Sequence, residues 1–206
     1  MIMLTYVGYN NTVKSKVKSE YVTLLIMAVV GMFLMVSAFD FMVLYMGLEL
    51  QSLSLYILAS FNTDDAKSSE SGLKYFILGA LASGITLFGI SLIYGFAGTV
   101  NFKVLGTLYS AENNMILHET PAVIIGIIMV ISGMFFKLSA APFHFWTPDV
   151  YEGSPITSTA LFASIPKIAA LAVMINLLFI AFDANSAVWI DITKIIAVLS
   201  MVIGSF

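Results

Sequence analysis

Three charged side chains, Glu49, Lys137 and Lys167, lie within apolar stretches that are long enough to cross a membrane. Each such charge costs about 2.5–3.5 kcal/mol at the centre of a membrane helix on insertion scales. Burial favours the neutral form of a lysine side chain, whereas a nearby carboxylate favours the charged form. Moving the carboxylate towards or away from such a lysine would therefore make the lysine take up or release a proton. We infer from these three residues a pathway for protons or other ions.

Glu49 is expected on a polar helix face. Tyr45, Glu49, Ser52 and Tyr56 follow one another at spacings of three or four positions, which puts their side chains on one side of a helix. Such a face is polar enough to line a water-filled cavity. The alternative is a glutamate near a helix end, at the membrane interface.

The two lysines differ in their sequence surroundings. Lys137 comes shortly before Pro142, where a helix should break because proline removes a helix hydrogen bond. Lys137 is therefore expected beside unwound backbone, with a side chain that reaches the surface as the alternative. Lys167 follows Pro166 in the middle of a long apolar run, from which the surface is far away. A buried functional lysine is the better interpretation there.

Two further residues are weaker candidates. Lys74, near the start of a predicted helix, fits a role in the same pathway and a plain positive charge at the interface equally well. His144 lies in a loop with Trp146, and this combination is more typical of membrane anchors than of proton carriers. Together with His118, it makes no metal-binding signature.

Composition places the chain among integral membrane proteins. Of its 206 residues, 60% are hydrophobic and 10% are charged, and the mean hydropathy is +0.99, so a soluble domain is excluded. The net charge of −3 makes no basic patch, and nucleic acid is not expected as a partner. Cysteine is absent, which excludes disulfides and thiolate metal sites. No phosphate-binding loop, dinucleotide fingerprint or serine elbow is present, so soluble-type catalysis has no support.

The apolar segments predict an all-α fold, a polytopic membrane bundle of about six transmembrane helices with at least one broken helix. A polar amino-terminal segment over residues 1–20 precedes a single bundle over residues 21–206, and a short amphipathic piece is expected around residues 102–108. The approximate spans are 21–37, 41–61, 72–97, 121–141, 155–182 and 188–206.

Five stretches, taken in order, closely resemble one family, the antiporter-like subunits of respiratory complex I called subunit 2 in mitochondria and subunit N in bacteria. The resemblance covers roughly residues 21–206. The stretches are GLELQSLSLY at 47–56, GLKYFILGA at 72–80, FKLS at 136–139, PFHFWTPDVYEGSP at 142–155 and PKIA at 166–169.

The resemblance implies a subunit of an H⁺-translocating NADH:ubiquinone reductase, with no redox chemistry on this chain. NADH, FMN, iron–sulfur clusters and ubiquinone are expected in other subunits, and no cofactor or metal is expected here. By the same resemblance, Glu49 and Lys137 are the paired charges of a half-channel, Lys137 lies on a broken helix, and Lys167 continues the central polar axis. Lys74 is also placed in that axis, and His144 is a weak candidate.

The resemblance also implies partners and a location. Full-length relatives have further helices before residue 21 and continue into a second broken helix, so a second chain is expected to supply the missing carboxy-terminal helices. Other membrane-arm subunits and lipid are the remaining expected partners. All nine basic residues are lysine, and no import signal is evident, which together favour the mitochondrial inner membrane. The bacterial plasma membrane is the alternative.

Two alternative functions are open at this point. One is a subunit of a multi-subunit sodium/proton antiporter, whose helices use the same broken-lysine arrangement. The other is a non-conducting structural fragment of complex I that retains its helices for assembly only.

Overall fold

The computed structural model describes residues 19–110 and 120–205, and every regular element in these ranges is helical. An isolated bridge between Asp40 and Asn101 adds a single extended contact. The helices are α1 Ser19–Val36, α2 Phe41–Ala59, α3 Ala66–Ala97, α4 Phe102–Ser110, α5 Pro121–Leu138, α6 Thr147–Gly153, α7 Ile156–Asn176 and α8 Ser186–Gly204. A π-helical turn, Leu177–Ala181, and a 3₁₀ turn, Asp183–Asn185, connect α7 to α8.

The predicted polytopic all-α fold is confirmed. Five described segments are long and apolar enough to cross a membrane, and the apolar stretch Glu20–Val36 in α1 is somewhat shorter. The five segments are Phe41–Ala59, Ala66–Ala97, Pro121–Leu138, Ile156–Ala181 and Asp183–Gly204.

Helix ends differ from the predicted spans where polar residues continue a helix beyond its apolar part. The third helix starts at Ala66 instead of residue 72, because Asp65 caps it by accepting a hydrogen bond from the Lys67 backbone N–H at 3.0 Å. The second helix ends at Ala59, two residues early, and the last helix spans Ser186–Gly204. Most of the predicted polar segment 1–20 lies outside the described residues.

The predicted break is present between α5 and α6. The helix ends at Leu138, three residues before the predicted end, because Ser139 adopts the left-handed conformation with φ of 56°. The Phe136 carbonyl accepts from the Ser139 backbone N–H at 3.1 Å and also from the Trp146 indole N–H at 3.3 Å, which holds Trp146 against the last turn of α5. Pro166, in contrast, lies inside α7 without ending it.

Glycines allow the helices to approach closely. A Cβ added at Gly31 would lie 2.9 Å from the Gly47 carbonyl oxygen, and one added at Gly47 would lie equally close to the Gly31 oxygen. The same reciprocal contact joins Gly89 of α3 and Gly126 of α5, at 2.7 and 2.9 Å. Small residues at helix crossings are typical of membrane bundles. The first crossing joins α1 to α2, and the second joins α3 to α5.

The bridge between Asp40 and Asn101 shows which helix ends lie together. Phe41 N–H donates to the Val100 carbonyl, and Phe102 N–H donates to the Phe39 carbonyl, both at 3.0 Å. The start of α2 therefore lies beside the end of α3. Since α3 and α5 run antiparallel, the break after α5 lies towards the opposite end of the bundle, near the start of α3.

Candidate functional site

Lys137 lies in the last turn of α5 and points towards α2. Its Nζ atom donates to Ser52 Oγ at 2.6 Å and to Tyr56 Oη at 3.5 Å, and it lies 5.7 Å from the centre of the Tyr56 ring. A charge-assisted hydrogen bond of 2.6 Å is strong. The alternative of a side chain that reaches the surface is therefore wrong for Lys137.

Glu49 stands one helical turn from Ser52, about 12 Å along α2 from its start at Phe41. It is half-buried, and its carboxylate acts electrostatically on Lys137 and Tyr45. The structure thus brings Glu49 and Lys137 near each other, although they form no ion pair among the contacts of the described residues. The Glu49 Oε1 atom is buried without a hydrogen-bond partner in those residues.

Tyr56 is held in place from the side of α3. Gly79 faces it so closely that an added Cβ would collide with the Tyr56 hydroxyl. The Tyr56 ring packs edge-on against Tyr75, with centroids 4.7 Å apart. These two contacts with α3 position the Tyr56 hydroxyl within reach of Lys137.

Lys167 occupies the middle of α7, about 16 Å from the start of that helix. It is half-buried, and its Nζ atom lies 5.5 Å from the centre of the Tyr151 ring. That distance is within the range of a cation–π contact. Within the described part of the chain, Lys167 has neither a side-chain hydrogen bond nor an ion pair.

Four rings form an aromatic column, defined as Tyr56, Tyr75, Trp146 and Tyr151. Trp146 stacks on Tyr75 with centroids 4.5 Å apart and an interplanar angle of 6°, and Tyr151 meets Trp146 edge-on at 6.2 Å. Lys137 lies over the first ring and Lys167 over the last. Trp146 is only 3% exposed, so its interpretation as an interfacial anchor is wrong. Its indole fills the space that the break opens.

The two weaker candidates lie apart from these contacts. His144 is half-buried in the turn between α5 and α6, where its carbonyl accepts from the Thr147 backbone N–H at 2.8 Å. Lys74 belongs to a surface ion cluster, defined as Lys67, Glu70, Lys74, Asp149 and Glu152. These residues line a cleft of about 140 Å³ where α3 meets α6.

Ion pairs hold this surface cluster together. Lys74 Nζ lies 2.6 Å from Asp149 Oδ2 and 2.8 Å from Glu70 Oε1, while its side chain is 42% exposed. Lys67 pairs with Glu152 at 3.3 Å, where both side chains are largely exposed. Lys74 therefore ties α6 to α3 at the end of the bundle.

Sequence reasoning missed several residues of the site. Ser52 and Tyr56 were placed on the Glu49 face but not beside Lys137, and their spacing was the available signal. The aromatic residues that follow the break were the available signal for Trp146 and Tyr151, but nothing in the sequence pairs Tyr151 with Lys167. No cluster of His, Asp and Glu suited to a metal occurs within the residues that the structure describes.

Comparisons with known proteins show similarity to one family of membrane proteins. The family model described as NADH:quinone oxidoreductase/Mrp antiporter, TM, matches residues 38–206. NADH-quinone oxidoreductase subunit N of Parvibaculum lavamentivorans is 53% identical over 91% of this chain and 38% of its own length. The chain thus spans about two fifths of the length of that relative.

Two solved structures share the fold. A chain of respiratory complex I from Thermus thermophilus with bound aureothin is 35% identical, with a TM-score of 0.66 over 77% of this chain and 34% of that one. A chain of the membrane-bound sulfane sulfur reductase, an archaeal respiratory membrane complex, is 26% identical. Its TM-score is 0.75 over 90% of this chain and 37% of that one.

Proposed function

Because the chain belongs to the NADH:quinone oxidoreductase/Mrp antiporter transmembrane family, we propose that it is a proton-translocating membrane-arm subunit of NADH-quinone oxidoreductase, respiratory complex I. Electron transfer from NADH to quinone takes place in other subunits of the complex under this proposal. NADH, FMN, iron–sulfur clusters and ubiquinone are bound there, and this chain contributes proton transfer alone.

The hydrogen bonds of Lys137 carry the proposal. Ser52 and Tyr56 hold its ammonium group with neutral hydroxyls, while the Glu49 carboxylate acts on it from nearby without an ion pair. An ammonium held by neutral groups is more easily deprotonated than one bound to a carboxylate, because no opposite charge is left unpaired. A change in the distance to Glu49 would then alter how readily Lys137 gives up its proton.

In the proposed sequence, the Lys137 ammonium passes its proton to the Lys167 amine, and Glu49 then takes up a proton and passes it to Lys137. The Lys137 ammonium becomes a neutral amine, and the Lys167 amine becomes an ammonium. The step is a proton transfer without oxidation or reduction. Lys74 and His144 lie outside this path in our proposal: Lys74 has a structural role in the surface ion cluster, and His144 lies in the turn.

We propose other membrane-arm subunits and lipid as partners, and a second chain as the source of the further helices that relatives possess. The location has two candidates. The all-lysine composition favours the mitochondrial inner membrane, whereas the bacterial origin of the named relatives favours a bacterial plasma membrane. Fractionation of cells that carry an epitope-tagged chain would distinguish these membranes.

A native gel of mildly solubilised membranes, stained for NADH dehydrogenase activity, tests the assignment to complex I. We expect mass spectrometry to find this chain in the active band, together with a second peptide that covers the remaining helices of the relatives. A chain found only in other bands would contradict the assignment and favour a separate sodium/proton antiporter.

The role of the buried charges needs a pumping assay. We expect Glu49→Gln and Lys167→Met each to abolish vesicle acidification driven by NADH oxidation. The amount of assembled enzyme, measured as NADH:ferricyanide activity, should stay unchanged. Glu152→Gln, which removes an exposed carboxylate of the surface ion cluster, is the matched control. Normal pumping by both buried-charge variants would instead support a non-conducting structural fragment.

A further inference from the structure

Lys167 has an unusual surrounding for a half-buried ammonium. Among the described residues it forms neither an ion pair nor a side-chain hydrogen bond, and the group that its Nζ atom faces is the ring of Tyr151, at 5.5 Å. Removing a charge from water is costly unless another group compensates for it. The negative face of an aromatic ring provides such compensation. The Tyr151 ring is therefore the compensating group that the described residues offer.

The position of that ring is set by the helix that carries it. Tyr151 lies on α6, and its carbonyl accepts a hydrogen bond from Thr159 Oγ1 of α7 at 3.2 Å. Its ring packs edge-on against Trp146. The Tyr151 hydroxyl is buried without a hydrogen-bond partner among the described residues, so the hydroxyl is not what fixes the ring.

The ring also connects Lys167 to the break that follows Lys137. Trp146 bonds to the carbonyl of Phe136, the residue before Lys137, and stacks on Tyr75. A shift of the backbone at the break would move Trp146 and, through their contact, Tyr151. The distance between the Tyr151 ring and the Lys167 ammonium therefore depends on the geometry of the broken helix.

We propose that Tyr151 is a positioning residue for Lys167, whose ring face holds the charged ammonium at its place on the proton path. The inference rests on the proposed proton-translocating function of Lys167. A tyrosine hydroxyl titrates near pH 10, so the ring is neutral under ordinary conditions and the contact is a cation–π contact. The face of the ring is the functional feature, and the hydroxyl is dispensable.

The test replaces Tyr151 by phenylalanine and then by phenylalanines with one, two and three ring fluorines, in the assembled complex. Each fluorine withdraws electrons from the ring face and weakens cation binding while the shape of the ring changes little. We expect Tyr151→Phe to pump normally and pumping to fall stepwise with fluorine number, by about tenfold in all. The same series at Phe162, a buried ring that packs on Tyr75, is the matched control and should leave pumping unchanged.

Three results would overturn the inference. Pumping that is independent of fluorine number at position 151, or equally reduced by the series at position 162, would mean that Tyr151 only fills space. Failure of Tyr151→Phe would show that the hydroxyl is required. Lys167→Met, measured in parallel, separates the two proposals: normal pumping by that variant removes the premise itself, whereas its loss together with a flat fluorine series contradicts the positioning role alone.

Discussion

Lys137 and Lys74 are the same residue type on two helices that pack together, yet their partners differ in kind. Two carboxylates bind Lys74, at 2.6 and 2.8 Å, on a face that is partly exposed. Lys137 is bound by the hydroxyls of Ser52 and Tyr56, inside the bundle. A carboxylate strongly favours the charged form of a lysine, whereas a neutral hydroxyl favours it less. In our proposal, a lysine that carries protons therefore differs in its partners from a lysine that holds helices together.

The largest expected effect comes from fixing the charge on Lys137. In Lys137→Arg, the guanidinium keeps a positive charge but cannot release a proton. We expect the pumping rate to fall by about 10²–10⁴-fold, the usual cost of removing a positioned proton donor. Vesicle acidification per NADH oxidised measures this, and pumping near the normal rate would mean that Lys137 acts only as a fixed charge.

A smaller effect is expected when the hydroxyl partner is removed. Ser52→Ala deletes the 2.6 Å hydrogen bond to Lys137, and a hydrogen bond to a charged group contributes about 1.5–3 kcal/mol. We expect about a tenfold loss of pumping, because 1.4 kcal/mol is a factor of ten. Ser52→Thr, which retains a hydroxyl, should restore most of it.

Ser54 provides the control for that substitution. It lies two residues along the same helix and is also buried, and its hydroxyl donates to the Leu50 carbonyl at 2.8 Å as its one hydrogen bond among the described residues. Ser54→Ala should leave pumping unchanged. An equal loss in the two alanine variants would assign the effect to helix packing.

The smallest effect is expected in the surface ion cluster. Lys67→Gln removes the pair with Glu152, in which the side chains are 72% and 77% exposed. Exposed ion pairs contribute about 0–1 kcal/mol. We expect a fall of at most a few degrees in the thermal denaturation midpoint of the solubilised complex, and no change in pumping. A large loss of pumping would show that the cluster belongs to the proton path.

The helices could be predicted from the sequence because their lengths follow from apolar runs, and the break after Lys137 could be predicted from Pro142. The start of α3 could not, since Lys67 and Glu70 are polar yet helical and extend the helix beyond its apolar part. Hydrophobicity predicts which part of a helix spans the membrane, but it does not predict the residue at which the helix begins.

The site was predictable within one helix and unpredictable between helices. The face that carries Glu49 and Ser52 follows from a local period. The contact between Ser52 and Lys137 joins residues 85 positions apart, and the pair of Lys74 with Asp149 spans 75 positions. A single sequence does not contain such distances. For this reason the sequence alone supports the two interpretations of Lys74 equally.

The most direct test of the central claim measures proton pumping by Lys137→Met and Lys74→Met side by side, in vesicles matched for NADH:ferricyanide activity. We expect Lys137→Met to lose pumping and Lys74→Met to retain most of it, with a small loss of stability. Equal loss in both variants, or the reverse order, would contradict the distinction between a lysine that carries protons and a lysine that holds helices together.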